Sequence, residues 1–351
     1  MASRSELIAN TVVVVLTTLF ILGIVRLLWS VADIIILVLV AAILAAGLST
    51  PIEALQRRRW GRRGWTVSRG LAVAAVYLVL LVVLGAAGSL LVTPLVAETR
   101  EFVERVPTLY DDLRQLALHY QVRYPWLPDL SLIMDRLPQE AGRLGQYAGA
   151  ATGVAFRVFG VLVSAITVVI LSVYMVLEGP AMKVGLLSLF PPSSHPLVNA
   201  VLRGVGLKFG GWLRGQLLLG LIIGTAAGIG TWILGLPYPF LLGLAAGVTE
   251  LIPLVGPVLG AIPAVLVALF GPWWRLVAVI ALYAAIQQAE NHLVVPRVMK
   301  MSVGLSPLLT IVAIMIGGRL MGIMGALLAV PVAAALQVIA GEVLRTLRPQ
   351  G

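Results

Sequence analysis

The chain has 351 residues, of which 60% are apolar and only 11% charged, with a mean hydropathy of +1.02. So little charge cannot cover a soluble protein of this size, and several runs exceed the ~18 apolar residues that mark a bilayer-spanning helix, so the composition describes a polytopic all-α membrane protein. There is no cysteine, which excludes disulfides and thiolate sites, and His119, His195 and His292 stand in no metal-ligand spacing. The net charge of +10 reads as membrane topology and not as nucleic-acid binding, because a multi-pass protein needs cytoplasmic Lys and Arg.

In chain order, the first spans are expected near Leu7–Trp29 and Val31–Leu48, the former a retained span with no cleavage site after it. The loop QRRRWGRRGWTVSR follows. Its Arg57, Arg58, Arg59, Arg62 and Arg63, with Arg69, make it cytoplasmic and suited to anionic headgroups, with Trp60 and Trp65 at the interface. A third span, Gly70–Val92, completes an N-terminal unit (1–93). An external region (94–150) carries eight acids and six arginines, and Leu95, Phe102, Val106, Leu109, Leu113 and Leu116 recur at helical spacing.

The rest (151–351) forms a C-terminal core. Span four, about Ala151–Leu177, is expected to stop at Glu178-Gly179-Pro180. A proline-rich connection and an amphipathic piece containing Arg203, Lys208 and Arg214 lead into span five, Gly215–Leu234. Gly220, Gly224 and Gly228 form a four-residue ladder there that lets another helix approach closely. Gln216 and Arg214 open this span at the expected interface, and Gln216 is also a candidate for the transport pathway.

Two apolar segments are longer than one crossing needs and are interrupted. Phe240–Phe270, 31 residues, contains Glu250, Pro253, Gly256, Pro257, Gly260 and Pro263. The prolines remove backbone donors, so two half-helices should meet near Pro253–Pro257, as a re-entrant hairpin or a discontinuous span. Leu305–Gly341, 37 residues, is interrupted at GGRLMGIMG, which brings Gly317, Gly318, Arg319, Gly322 and Gly325, with Pro331 beyond. Paired interruptions of this kind point to a transporter's binding site. An acid held in hydrocarbon costs several kcal/mol, so Glu250 is a functional candidate for a proton, a sodium ion or a polar solute; the bland alternative is a half-helix cap or an ion pair with Arg319. Gln287, Glu290 and Asn291 form a second polar cluster near the inner end of the span at Trp273–Ala289. Arg297, Lys300, Arg345 and Arg348 place the C-terminus, like the N-terminus, in the cytoplasm. HExxH, GxSxG and phosphate-loop motifs are absent, which argues against an enzyme or a primary pump and leaves a non-transporting scaffold as a remaining alternative.

The runs IPLVGPVLGAIPA and GLSPLLTIVAIMIGGRLMGIMGALLAVPVAA, with Glu290 and Pro296 between them, resemble the AI-2E transporter family. The resemblance implies eight membrane segments, residence in a bacterial plasma membrane, and homo-oligomers, with pentamers expected. It implies secondary transport: export of an autoinducer-2-like solute or, alternatively, sodium(lithium)/proton antiport. No cofactor is implied beyond a coupling proton or sodium ion.

Overall fold

The computed structural model describes residues 13–20, 23, 26, 30–58, 67–83, 85–86, 89, 97–98, 101, 151–295 and 304–347. Most of the expected external region, Arg59, Arg62 and Arg63 with their tryptophans, Pro296, Arg297, Lys300 and Arg348 lie outside them. The described residues are helical with no strand: α1 (Ala32–Arg57), α2 (Arg69–Val83), α3 (Ala151–Ser188), α4 (His195–Ile233), α5 (Pro239–Thr249), α6 (Gly256–Leu269), α7 (Trp273–Ala289) and α8 (Pro307–Leu347). Residues 13–20 are also helical. Among the described residues four helices are long and apolar enough to cross a membrane, one of them α8 counted across the reversal at Met321–Gly322. Leu217, Leu221, Ile229, Trp232 and Ile233 point outward from α4, an apolar surface that suits lipid and not water. The chain is a membrane protein.

The spine is α4, whose 39 residues join the expected amphipathic piece and span five into one helix. At ~1.5 Å per residue it reaches about 58 Å, well beyond a ~30 Å hydrocarbon core. Phe209 and Trp212 in its first half pack with Ile43 of α1 and with Ile314, Leu328 and Ala334 of α8. Its second half holds the glycine ladder, which receives α5: a Cβ on Gly224 would stand 2.9 Å from the carbonyl oxygen of Gly243, and one on Gly220 2.7 Å from that of Gly247. A third cluster, with Ile52, Ala72, Val73 and Val176, binds α1, α2 and α3 together.

The expected stop at Pro180 is overturned. The proline lies inside α3, which runs on to Ser188. Proline cannot donate to the carbonyl four residues earlier, here that of Val176. The Arg69 guanidinium donates to that oxygen, so the helix continues without an orphaned acceptor. Pro51 inside α1 repeats the device. Its partner carbonyl, on Gly47, accepts from Arg214 Nη1 at 3.1 Å, and the same nitrogen reaches Thr50 Oγ1 at 2.7 Å. Replacing Arg69 with Met should strip the Val176 carbonyl of its donor and cost about 1–3 kcal/mol. Thermal unfolding in detergent should register this as a lowered midpoint; an unchanged midpoint would show the tie to be idle.

Candidate functional site

The helix parts where the sequence places its prolines and glycines. α5 ends at Thr249, residues 250–255 form turns, and α6 begins at Gly256 with Pro257 in its first turn, where a missing N–H is harmless. The two helices fold back on each other. A Cβ on Gly256 would lie 2.1 Å from the Thr249 carbonyl oxygen, one on Gly260 2.8 Å from Ala246 Cα, and Leu242 shares a core with Ala264. At ~1.5 Å per residue, 11 and 14 residues span about 16 and 21 Å, each short of a crossing. Within the turn Leu254 adopts φ +68°, a left-handed conformation that costs a β-carbon-bearing residue roughly 1–2 kcal/mol. Pro263, an expected break, is instead inside α6.

α8 contains a second reversal. Met321 and Gly322 leave helical geometry, and Gly322 takes φ 60° and ψ −143°, a conformation open essentially to glycine alone. A Cβ on Gly325 would fall 2.0 Å from the Gly317 oxygen, so the arms before and after residue 322 lie against one another and do not form one long crossing. Gly317 and Gly325 therefore serve close packing beside the bend, Gly318 stands next to Ala326, and Pro331 is buried within the second arm and does not interrupt it. Arg319 is exposed on this hairpin and has no hydrogen bond or ion pair among the described residues. The alternative, a Glu250–Arg319 ion pair, is not formed.

What meets Glu250 is another acid. Glu250 follows the last turn of α5 and is 2% exposed, while Glu290 is 7% exposed, and their carboxyl groups approach within hydrogen-bonding range. Glu290 opens a five-residue π-helical turn, Glu290–Val294, at the end of α7. Such wide turns often mark functional positions because they redirect side chains. Gln287 Nε2 donates to Glu290 Oε2 at 3.3 Å and lies 3.4 Å from Asn291 Oδ1.

Gln216 is no interfacial residue. At 1% exposure it donates Nε2–H to the backbone carbonyl of Glu250, an acceptor released by the helix break. Glu250 Oε2, Gln216 Oε1 and the Tyr283 hydroxyl are buried and have no hydrogen-bond partner among the described residues. Unpaired buried oxygens are uncommon, since most buried polar atoms are paired. Replacing Gln216 with Leu should leave the Glu250 carbonyl unpaired, cost about 1–3 kcal/mol and slow flux; wild-type flux and wild-type thermal stability together would show that the contact holds nothing in place.

A cavity of about 380 Å³ opens beside the pair, between the hairpin and α7. Pro257, Val258, Ala261 and Ile262 of α6 form one wall, and Tyr283, Ile286, Gln287 and Glu290 the other. The structure thus brings together Glu250, Gln216, Gln287, Glu290 and Asn291 around the first break, with Pro253, Gly256, Pro257 and Gly260 shaping that break, and leaves Arg319 apart. Sequence reasoning missed Tyr283. Its signal is the i, i+4, i+7 stripe it forms with Gln287 and Glu290 on one helix face. Of the basic loop, Arg57 is exposed and pairs with Glu53 at 3.1 Å, and Arg58 is exposed at the end of α1.

Long apolar helices around a broken hairpin, with buried acids at the break, define a membrane transport protein. The sequence profile of the AI-2E family transporter matches residues 8–345, and the chain belongs to that family. It is 32% identical over 338 residues to the Bacillus subtilis protein named "Putative transport protein YrrI", covering 94% of each chain. It is also 24% identical over 292 residues to the "Sodium-lithium/proton antiporter" of Halobacillus andaensis, covering 77% of this chain and 80% of that one.

Proposed function

We propose that this protein is a secondary transporter that exchanges an alkali cation for protons at the Glu250–Glu290 pair. One observation carries the reading: two carboxyl groups face each other in a buried site with no cationic side chain in contact among the described residues. Two like charges at contact and out of water repel strongly, so the pair must hold a proton or a cation between its oxygens. Gln216, bonded to the Glu250 backbone, has an oxygen unpartnered among the described residues, a neutral donor of the kind hard cations prefer. The printed name of the Halobacillus relative supports the same reading.

In this scheme the α5–α6 hairpin enters and leaves the membrane from one side and rocks against α4 and α7 to expose the pair alternately. The protein sits in a bacterial plasma membrane with both termini in the cytoplasm, as its arginine distribution favours. Export of a small polar solute of the autoinducer-2 type has less to rest on, because the cavity wall is mainly apolar and each unpaired hydroxyl would cost about 1–3 kcal/mol.

The deciding experiment uses purified protein in liposomes with an internal pH dye and an imposed pH gradient. Sodium or lithium should collapse the gradient, and autoinducer-2-like sugars should not. A gradient that survives both ions would overturn the reading, and one that yields to the sugar alone would restore solute export.

A further inference from the structure

The alkali cation needs only the polar end of the cavity, which leaves most of its volume unexplained. At ~30 Å³ per molecule the space would take about a dozen waters, but Val258, Ala261 and Ile262 offer them no hydrogen bonds. Its volume falls in the range of sites for small organic ligands, roughly 300–1,000 Å³. The chemistry at its polar end then selects the ligand. An anion would meet Glu290, with Glu250 behind it, and be repelled. A polyol would bury hydroxyls against methyl groups. A cation with an apolar body meets neither obstacle.

We propose that the cavity binds a lipophilic organic cation, an amine, quaternary ammonium or phosphonium with an aromatic or branched body, and that the protein exchanges it for protons. This rests on the carboxyl-pair reading above and extends it to a second substrate class. The charged centre lies against the Glu290 carboxylate. The body fills the space between α6 and α7. Tyr283 presents an aromatic ring on the cavity wall, where a desolvated cation gains further attraction. Glu250, 2% exposed with Oε2 unpartnered, is directed at Glu290 and provides the second negative group, so loading by the cation releases a proton from the pair.

Tetraphenylphosphonium is the probe. Its binding to the purified full-length protein in detergent is measured by equilibrium dialysis, and proton release is followed in weak buffer. Saturable binding near one per chain is expected, with protons released on binding and affinity falling as pH drops, by up to about tenfold per pH unit. Glu290→Gln should abolish both binding and release. Val258→Trp, which fills the apolar wall, should weaken binding at least about tenfold, as loss of a 1.4 kcal/mol contact would. Circular dichroism and gel-filtration profiles identify any variant that has failed to fold, in which case the wild-type proton release decides. Non-saturable uptake, binding without proton release, or full binding by folded Val258→Trp would each overturn the proposal.

Sodium/proton exchange by the same preparation in liposomes separates the two ideas. Exchange without probe binding sinks the organic-cation site and leaves the carboxyl-pair reading intact. Probe binding with proton release but no sodium exchange retains the site and removes the inorganic ion. Absence of both removes both.

Discussion

Glu290→Gln and Glu250→Gln should each reduce proton-coupled flux in liposomes to the level of empty vesicles. A single remaining carboxyl can hold either a proton or a cation, but it has lost the partner whose charge drives the exchange. The two variants are expected to behave alike, because both acids belong to one site. In the wild type, proton and cation compete for the same oxygens, so the apparent affinity for sodium should fall by up to about tenfold for each unit of acidification where proton binding dominates. Insertion and helicity should be preserved, since glutamine retains the size and burial of glutamate. Flux at wild-type levels in either variant would remove the carboxyl pair from the mechanism.

Gly256→Ala should be nearly as damaging, although the change is a single methyl group. The added carbon would sit 2.1 Å from the Thr249 oxygen and 2.9 Å from Glu250 Cα, and both neighbours are backbone, which cannot swing aside as a side-chain tip can. α5 and α6 must therefore separate at the bend that positions Glu250. Strain and lost packing of this kind cost several kcal/mol. Flux should fall with the thermal midpoint, and Gly206→Ala, at a helical glycine with open space around it, should leave both unchanged. If Gly256→Ala matched wild type in both measurements, the tight hairpin would be wrong.

Much of this arrangement was legible in the chain. The cluster from Pro253 to Pro257 announces a discontinuity because proline removes donors and glycine admits a close turn, and the helices part there. The ladder at Gly220, Gly224 and Gly228 likewise foretells a close neighbour, though not that the neighbour is α5. Pro180, Pro263 and Pro331 show the limit of the same rule. All three lie inside continuous helical turns, so a proline in the sequence does not by itself end the helix. Arg69 supplies the donor for Pro180 from 107 residues away in sequence, which no local pattern reveals.

The site was half legible. Glu250 stands out as an acid beside a break, yet its partner does not. Arg319 looked apt by charge, but it lies on the second hairpin, exposed. Glu290 looked interfacial because it follows the last regular turn of α7. It is buried instead, at the start of a π-helical turn that no sequence pattern announces. Gln216 is legible as a polar residue opening an apolar run, but its burial follows from α4 being one continuous helix there.

Finally, Arg69 and Arg214 are held by main-chain oxygens, Arg214 by the Thr50 hydroxyl as well, and by no carboxylate among the described residues. Permanent positive charge is thereby retained by neutral dipoles, and the acids at the hairpin bend have no standing counter-ion among the described residues. On the proposed exchange mechanism, a bound proton or cation removes one of the two negative charges at the bend, whereas the vacant pair bears both, which the low-dielectric barrier resists more strongly. That mechanism would therefore penalise unladen return electrostatically, without a separate locking element.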